Sequence, residues 1–211
     1  MHHDFDRGYW DEHWRQAQAA EPQHGAAADA PNPYLSRETG TLVPGTALEA
    51  GCGEGAEAIW LASTGWRVTA VDIAPTALAR ASERARDSDV DERVQWVEAD
   101  LTDWDPGTQF DLVTTHYAHP SIPQLAFYDR IARWVGPGGT LLIVGHLHTA
   151  DSGHGHHAPG EASATVAEIT AGLDATEWQV LTAEEHSRTL LSREGRAVPL
   201  RDVVVRAVRH T

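Results

Sequence analysis

The chain has 211 residues, the length of a single domain, and its 41% hydrophobic and 22% charged residues are ordinary for a globular protein. No stretch approaches the ~18 apolar residues of a membrane helix, and the first residues lack the apolar segment of a secretory signal. The net charge is −15, all basic residues are arginine, and this acidity argues against a nucleic-acid-binding protein and against anionic membranes. The single cysteine, Cys52, excludes an internal disulfide, so we expect a cytoplasmic protein.

Residues 1–45 are predicted to form a helical N-terminal extension. A helix is expected over residues 9–16, where Trp10 and Trp14 lie four residues apart and therefore face the same side. A loop rich in alanine and proline separates it from a second short helix over residues 32–40. We expect one tryptophan to pack against the sheet edge and the other to close over a binding site as a lid.

From residue 46 onwards, short apolar strands alternate with helices, which is typical of parallel β-α-β units. We therefore expect an α/β domain over residues 46–211, with a Rossmann-like open sheet of about seven mostly parallel strands and helices on both faces. The last two strands are separated only by a turn region over 190–199, so they should form a C-terminal antiparallel hairpin. The predicted strands are 46–50, 67–71, 94–98, 110–115, 140–144, 178–182 and 201–208, and the predicted helices are 56–64, 75–86 and 122–135.

A glycine-rich turn follows the first strand of this domain. Gly51, Gly53 and Gly55 allow a sharp turn and a close approach of the backbone to a ligand, and the next helix presents free N–H groups there. Asp72 ends the following strand, 21 residues after Gly51, where an acidic side chain can accept both hydroxyls of a ribose. The pattern therefore predicts a site for an adenosine-containing ligand.

The same turn also fits the G-x-G-x-x-A pattern of dinucleotide-binding domains, which leaves an NAD(P)-dependent oxidoreductase as an alternative. Three features favour another ligand. Glu49 would place like charge against a diphosphate, some 45 residues precede the first strand, and the C-terminal hairpin leaves no room for a substrate domain.

Five motifs, in the expected order, resemble those of the class I S-adenosylmethionine-dependent methyltransferases. They are the acidic glycine-rich turn at 49–55, the strand ends at 71–73 and 99–101, the strand at 110–113 and the Pro-Gly-Gly turn within 135–141. The resemblance covers about residues 46–146, and the N-terminal extension looks like that of small-molecule methyltransferases of the thiopurine and tellurite-resistance type. It implies methyl transfer from S-adenosylmethionine, leaving S-adenosylhomocysteine, to a small-molecule acceptor at O, N or S.

The resemblance also implies which residues contact the cofactor. Asp72 should take the ribose hydroxyls, Asp100 the adenine amino group, and His116 should lie near the sulfonium. Glu49 should orient the turn or the cofactor's ammonium group. The predicted cofactor-binding residues are Trp14, Glu49, Gly51, Cys52, Gly53, Gly55, Asp72, Ile73, Asp100, Leu101 and His116. A protein that binds S-adenosylmethionine without catalysis is a second alternative.

Histidines cluster after the fourth and fifth strands, at the edge of the sheet where ligands bind in such folds. We predict that His116, Tyr117 and His146 contact the acceptor or act in catalysis. Further histidines within 146–157 (His148, His154, His156 and His157) lack the fixed spacing of a ligand set, so no metal site is predicted. Arg188 and Arg193 could bind an anionic group of the acceptor, although solvated arginines are more common.

Overall fold

The computed structural model describes residues 5–19, 30–147, 163–191 and 197–211. Its seven strands are β1 Thr46–Ala50, β2 Arg67–Asp72, β3 Val94–Glu98, β4 Phe110–His116, β5 Val135–His146, β6 Trp178–Leu191 and β7 Ala197–Arg209. They form one sheet in the order β3-β2-β1-β4-β5-β7-β6, in which β1 to β5 run parallel and β7 lies antiparallel between β5 and β6. The mostly parallel sheet with a C-terminal antiparallel hairpin confirms the sequence prediction.

Helices cover both faces of the sheet, as predicted. They are α1 Arg7–Ala19, α2 Pro33–Thr39, α3 Ala56–Ser63, α4 Pro75–Asp87, α5 Gln124–Ala132 and α6 Val166–Ala171, with a 3-10 turn at Asp91–Arg93. Leu141 and Leu142 are consecutive on β5 and point to opposite faces, into two separate cores. Residues of α5 and α6 fill the first core, and residues of α2, α3 and α4 fill the second. None of the described helices is long and apolar enough to cross a membrane.

Local sequence signals set the helix starts. The Asn32 side chain accepts a hydrogen bond from the backbone N–H of Tyr34, and a proline occupies the first turn of α2. Pro75 likewise occupies the first turn of α4, where its missing N–H costs no helical hydrogen bond. At α6 the side chain of Thr165 and that of Glu168 form a reciprocal capping box.

Two local predictions were wrong, and one helix was missed. The predicted helix over 122–135 is shorter, because Val135 already pairs with Phe110 as the first residue of β5. The hairpin strands extend into the predicted turn region, with Leu191 opposite Ala197. Helix α6 was not predicted, since six residues are too few to show a helical period.

Candidate active site

A cavity of about 530 Å³ opens at the carboxyl ends of β1, β2 and β4, with α1 as its outer wall. Strand β1 lies between β2 and β4, so the strand order reverses beside it. Open α/β sheets bind ligands at the carboxyl ends of the strands at such a reversal. The volume is within the range of small-molecule sites. Every predicted cofactor-binding residue except Glu49 lines this cavity, as does Tyr117, whereas His146 does not.

Two glycines of the turn are required by their surroundings. Gly51 and Gly53 have φ angles of 79° and 50°, which favour glycine. A Cβ atom at Gly51 would lie 2.4 Å from the Cβ of Ala118, and one at Gly53 would lie 2.8 Å from the ring of Trp14. The turn therefore brings bare backbone to the cavity, with Trp14 of α1 directly over it.

Asp72 connects the glycine-rich turn to the start of α4. One carboxylate oxygen accepts from the N–H of Gly53 at 2.8 Å and the other from the N–H of Ala74 at 2.9 Å. Burial raises the pKa of this carboxyl, and the backbone N–H groups of Ala74 and Gly53 oppose the shift. The backbone N–H of Ile73 also lowers this pKa, and the carboxylate, with about four lone-pair positions, can still accept from a ribose hydroxyl.

The other predicted cofactor contacts lie at the end of the cavity nearest β3. Asp100 is half-buried and accepts from the N–H of Thr102 at 2.9 Å, which fixes its carboxylate. Leu101 is buried and Ile73 half-buried, and both supply apolar surface. An acidic acceptor in the same cavity as these aliphatic side chains fits an adenine ring with its amino group.

Glu49 and His116 form a buried pair across β1 and β4, which the sequence did not reveal. Oε1 of Glu49 lies 3.0 Å from Nδ1 of His116, and the two side chains are 1% and 3% exposed. Burial disfavours a charged imidazole, but the adjacent carboxylate prevails and raises the pKa of His116. Burial likewise raises the pKa of Glu49, against the attraction of His116. The structure thus places Glu49 behind His116 rather than on the cavity surface.

Tyr117 lines the cavity, and His146 stacks on its ring from behind. The ring centroids are 3.9 Å apart, and Nδ1 of His146 lies 3.1 Å from Oδ1 of Asp202, which is fully buried. Tyr117 has a φ of 55°, and its hydroxyl accepts from Nδ2 of Asn32 at 3.1 Å. Asp202 was not predicted as part of this region, because β7 meets His146 only through the sheet pairing.

Helix α1 is held over the cavity by polar contacts that the sequence did not indicate. Asp11 accepts from the backbone N–H of Thr76 at 3.1 Å and from its hydroxyl at 2.5 Å. The indole N–H of Trp10 donates to the carbonyl of His119 at 3.2 Å. The spacing of Trp10 and Trp14 was the only sequence signal for this wall.

The thiol of Cys52 is buried, and burial raises its pKa well above the ordinary value, so it is present as a packed thiol. Within the described ranges, no three His, Cys, Asp or Glu side chains are grouped as a metal site. His148, His154, His156, His157 and Arg193 lie outside the described residues, and the side chain of Arg188 is not described.

Comparison with known proteins shows a family match in the part of the chain that builds the site. Residues 47–139 match the family model of a methyltransferase domain. The chain is 31% identical over 149 residues to thiocyanate methyltransferase 1 of Arabidopsis thaliana, covering 68% of this chain and 63% of the relative. It is 39% identical over 99 residues to a ubiquinone biosynthesis O-methyltransferase of Xanthomonas campestris pv. campestris, covering 46% of this chain and 41% of that relative. The chain therefore spans less than two thirds of either relative.

Solved structures show the same fold. The chain superposes on magnesium protoporphyrin IX methyltransferase of Synechocystis PCC 6803 with bound SAM, with a TM-score of 0.62 at 17% identity, covering 96% of this chain and 94% of that one. It superposes on TehB of Haemophilus influenzae with a TM-score of 0.67 at 15% identity, covering 96% of this chain and 67% of TehB. These likenesses confirm the Rossmann-like architecture, and the family match favours the methyltransferase prediction over the oxidoreductase alternative.

Proposed function

We propose that this chain, which carries a class I S-adenosylmethionine-dependent methyltransferase domain, transfers a methyl group from S-adenosylmethionine to a small-molecule acceptor. One observation carries the proposal. The carboxylate of Asp72 is bonded to the N–H of Gly53 at 2.8 Å, so the acidic strand end and the glycine-rich turn face one cavity. This arrangement joins a ribose acceptor to a backbone turn that a ligand can approach closely.

The cavity fits this cofactor at several points. The bare backbone at Gly51 and Gly53 leaves room that any other side chain would fill. Asp100 offers a carboxylate at the end lined by Ile73 and Leu101. Two buried polar atoms, Oε2 of Glu49 on β1 and Nε2 of His116 on β4, have no hydrogen-bond partner among the described residues. A cationic ligand is compatible with this acidic surrounding.

The chemistry that the bound cofactor supplies is a methyl group already activated by a positively charged sulfur. The protein therefore has to hold two molecules in line and exclude water. Asp72 and Asp100 fix the nucleoside, and the α1 wall, with Trp14 over Gly53, covers the site. Positioning of this kind can lower the activation barrier by ~7–11 kcal/mol.

The acceptor is proposed to be a small molecule that reacts at O, N or S. One matched relative is a thiocyanate methyltransferase and another is an O-methyltransferase of ubiquinone biosynthesis, so the names of both indicate small-molecule acceptors. The acidic chain, with a net charge of −15, disfavours nucleic acids as acceptors. Tyr117 and His119 line the cavity beside β4, where the acceptor should enter. We propose the N-terminal extension, residues 1–45, as the lid of this site.

An acceptor screen tests this function. The purified protein is incubated with S-adenosylmethionine and panels of thiols, phenols and amines, and S-adenosylhomocysteine is quantified by mass spectrometry. We expect product formation that depends on one class of acceptor and disappears in Gly51→Ala, because a Cβ there would clash with Ala118. Binding of S-adenosylmethionine without turnover on any panel would instead favour the non-catalytic alternative.

A further inference from the structure

The Glu49–His116 pair holds two polar atoms whose hydrogen-bonding capacity is not used. Among the described residues, Oε2 of Glu49 and Nε2 of His116 have no partner, although both side chains are almost completely buried. Buried polar atoms are nearly always satisfied, so each exception calls for an explanation, such as a ligand, an ion or a water that binds there. His116 lines the cavity, and Glu49 lies directly behind it. The pair is therefore placed to respond electrostatically to whatever occupies the cavity.

The charged group that acts on both members of the pair is acidic, whereas Arg84, which also lines the cavity, donates to the backbone carbonyl of Glu54. Glu57 of α3 acts on both members, and the neutral thiol of Cys52 adjoins them, with Asp72 of β2 beyond it. Burial opposes a charge on His116, but Glu49 and Glu57 outweigh it and raise the pKa of the imidazole. Burial raises the pKa of Glu49 as well. Both directions favour a pair that holds one shared proton when the cavity is empty.

We propose that the Glu49–His116 pair releases its proton when the positively charged methyl donor fills the cavity and retains it when the neutral demethylated product does. The inference rests on the proposed function, since it requires S-adenosylmethionine as the donor. An imidazolium beside a positive sulfur is disfavoured in a site of low dielectric constant, because like charges there interact strongly. After the proton has left, the pair carries a net negative charge, which stabilises the donor.

The same pair then accepts the proton that the reaction produces. As the acceptor is methylated, its bond to hydrogen breaks, its bond to carbon forms, and the electron pair of the C–S bond stays on the sulfur. The proton returns to Nε2 of His116 because the sulfur has just become neutral. Glu49 is a positioning residue, since its Oε1 holds the proton on Nδ1 and leaves Nε2 to exchange the other.

Calorimetry measures this linkage without any turnover. The full chain is titrated with S-adenosylmethionine or S-adenosylhomocysteine at a pH of about 6.5, where the α-amino groups of both ligands stay protonated. Buffers of different ionisation enthalpy give the number of protons exchanged for each ligand. We expect S-adenosylmethionine to release up to about one proton more than S-adenosylhomocysteine, so the ratio of their affinities rises up to about tenfold per pH unit.

Matched variants assign the effect to the pair. Glu49→Gln should abolish the difference in proton count, because a buried His116 without its carboxylate is already neutral. Glu54→Gln removes a carboxylate from the same turn, one bonded to Gln18 and not to His116, and should leave the difference intact. His116→Gln tests the same point if Glu49→Gln fails to fold, as judged by circular dichroism.

Two results would overturn the inference and leave the proposed function standing. These are equal proton counts for the two ligands in the unaltered protein, and a Glu49→Gln variant with an undiminished difference. If neither ligand binds, the proposed function itself is contradicted and the inference falls with it.

Discussion

At the scale of single residues, the candidate site depends on carboxylates that are held by backbone N–H groups. Asp72, which is 8% exposed, accepts hydrogen bonds from the N–H groups of Gly53 and Ala74. These bonds satisfy its buried carboxylate and also shape the glycine-rich turn. Hydrogen bonds from N–H groups favour the ionised form and offset the effect of burial on the pKa. The residue therefore combines a structural role with the proposed contact to a ribose.

Replacing Asp72 with Ala should weaken S-adenosylmethionine binding by about 1.5–3 kcal/mol, the scale of a hydrogen bond to a charged group. Titration calorimetry gives the dissociation constants. Asp111→Ala is the matched control, because Asp111 also accepts a backbone N–H, that of Thr46 at 2.7 Å, but at the opposite end of the sheet. The control should lower stability and leave the dissociation constant unchanged. An unaltered constant in Asp72→Ala would remove Asp72 from the cofactor site.

At the scale of secondary structure elements, α1 completes the cavity while resting on few polar contacts. Asp11 binds the N–H and hydroxyl of Thr76 at the start of α4. These bonds, with that to Arg15, lower the pKa of Asp11 to about 2, so the contact persists in mildly acidic solution. The proposed lid is therefore fixed to the start of α4 through Asp11, while Arg7 bonds to Glu98 of β3 and Gln18 bonds to Glu54 of the glycine-rich turn.

Asp11→Ala should loosen α1 and raise the dissociation constant of S-adenosylmethionine a few-fold, up to about tenfold, because the site loses part of its wall. Glu12→Ala is the control, since Glu12 is exposed and bonds only to Arg15 and Gln16 within the same helix. Calorimetry and limited proteolysis of both variants measure the effect. Equal affinities in the two variants would show that this contact does not support the cofactor site.

The elements differ in how far the sequence predicts them. The parallel half was predictable because β-branched runs, glycines and Pro75 mark strand and helix ends locally. The strand ends at Asp72 and Asp100 followed from the same signals and lie at the cavity. The pairing of Glu49 with His116 was not predictable, since it joins residues 67 positions apart through the strand order. The bond from Asp11 to Thr76 lacks a local signal for the same reason.

At the scale of the whole molecule, burial distinguishes the central strands from the edge of the sheet. Leu142 on β5 is completely buried in the core that contains α2, α3 and α4. Leu181 on the edge strand β6 is 48% exposed. A core residue removed from water contributes far more than an exposed one of the same type.

Leu142→Ala should lower the free energy of unfolding by about 2–5 kcal/mol, because it leaves a cavity in a packed core. Leu181→Ala should change it by less than about 0.5 kcal/mol. Urea denaturation followed by circular dichroism measures both. Leu142 does not line the cavity, so the folded variant should bind S-adenosylmethionine as the unaltered protein does. Similar losses in the two variants would contradict this placement of the core.

We propose that the cavity beneath α1 binds S-adenosylmethionine. Calorimetric titration of the full chain with S-adenosylmethionine, and in parallel with NADH, tests it most directly. We expect saturable binding of S-adenosylmethionine and none of NADH, with the first weakened in Asp72→Ala. Binding of NADH alone would contradict this assignment, because the glycine-rich turn would then hold a diphosphate despite Glu49.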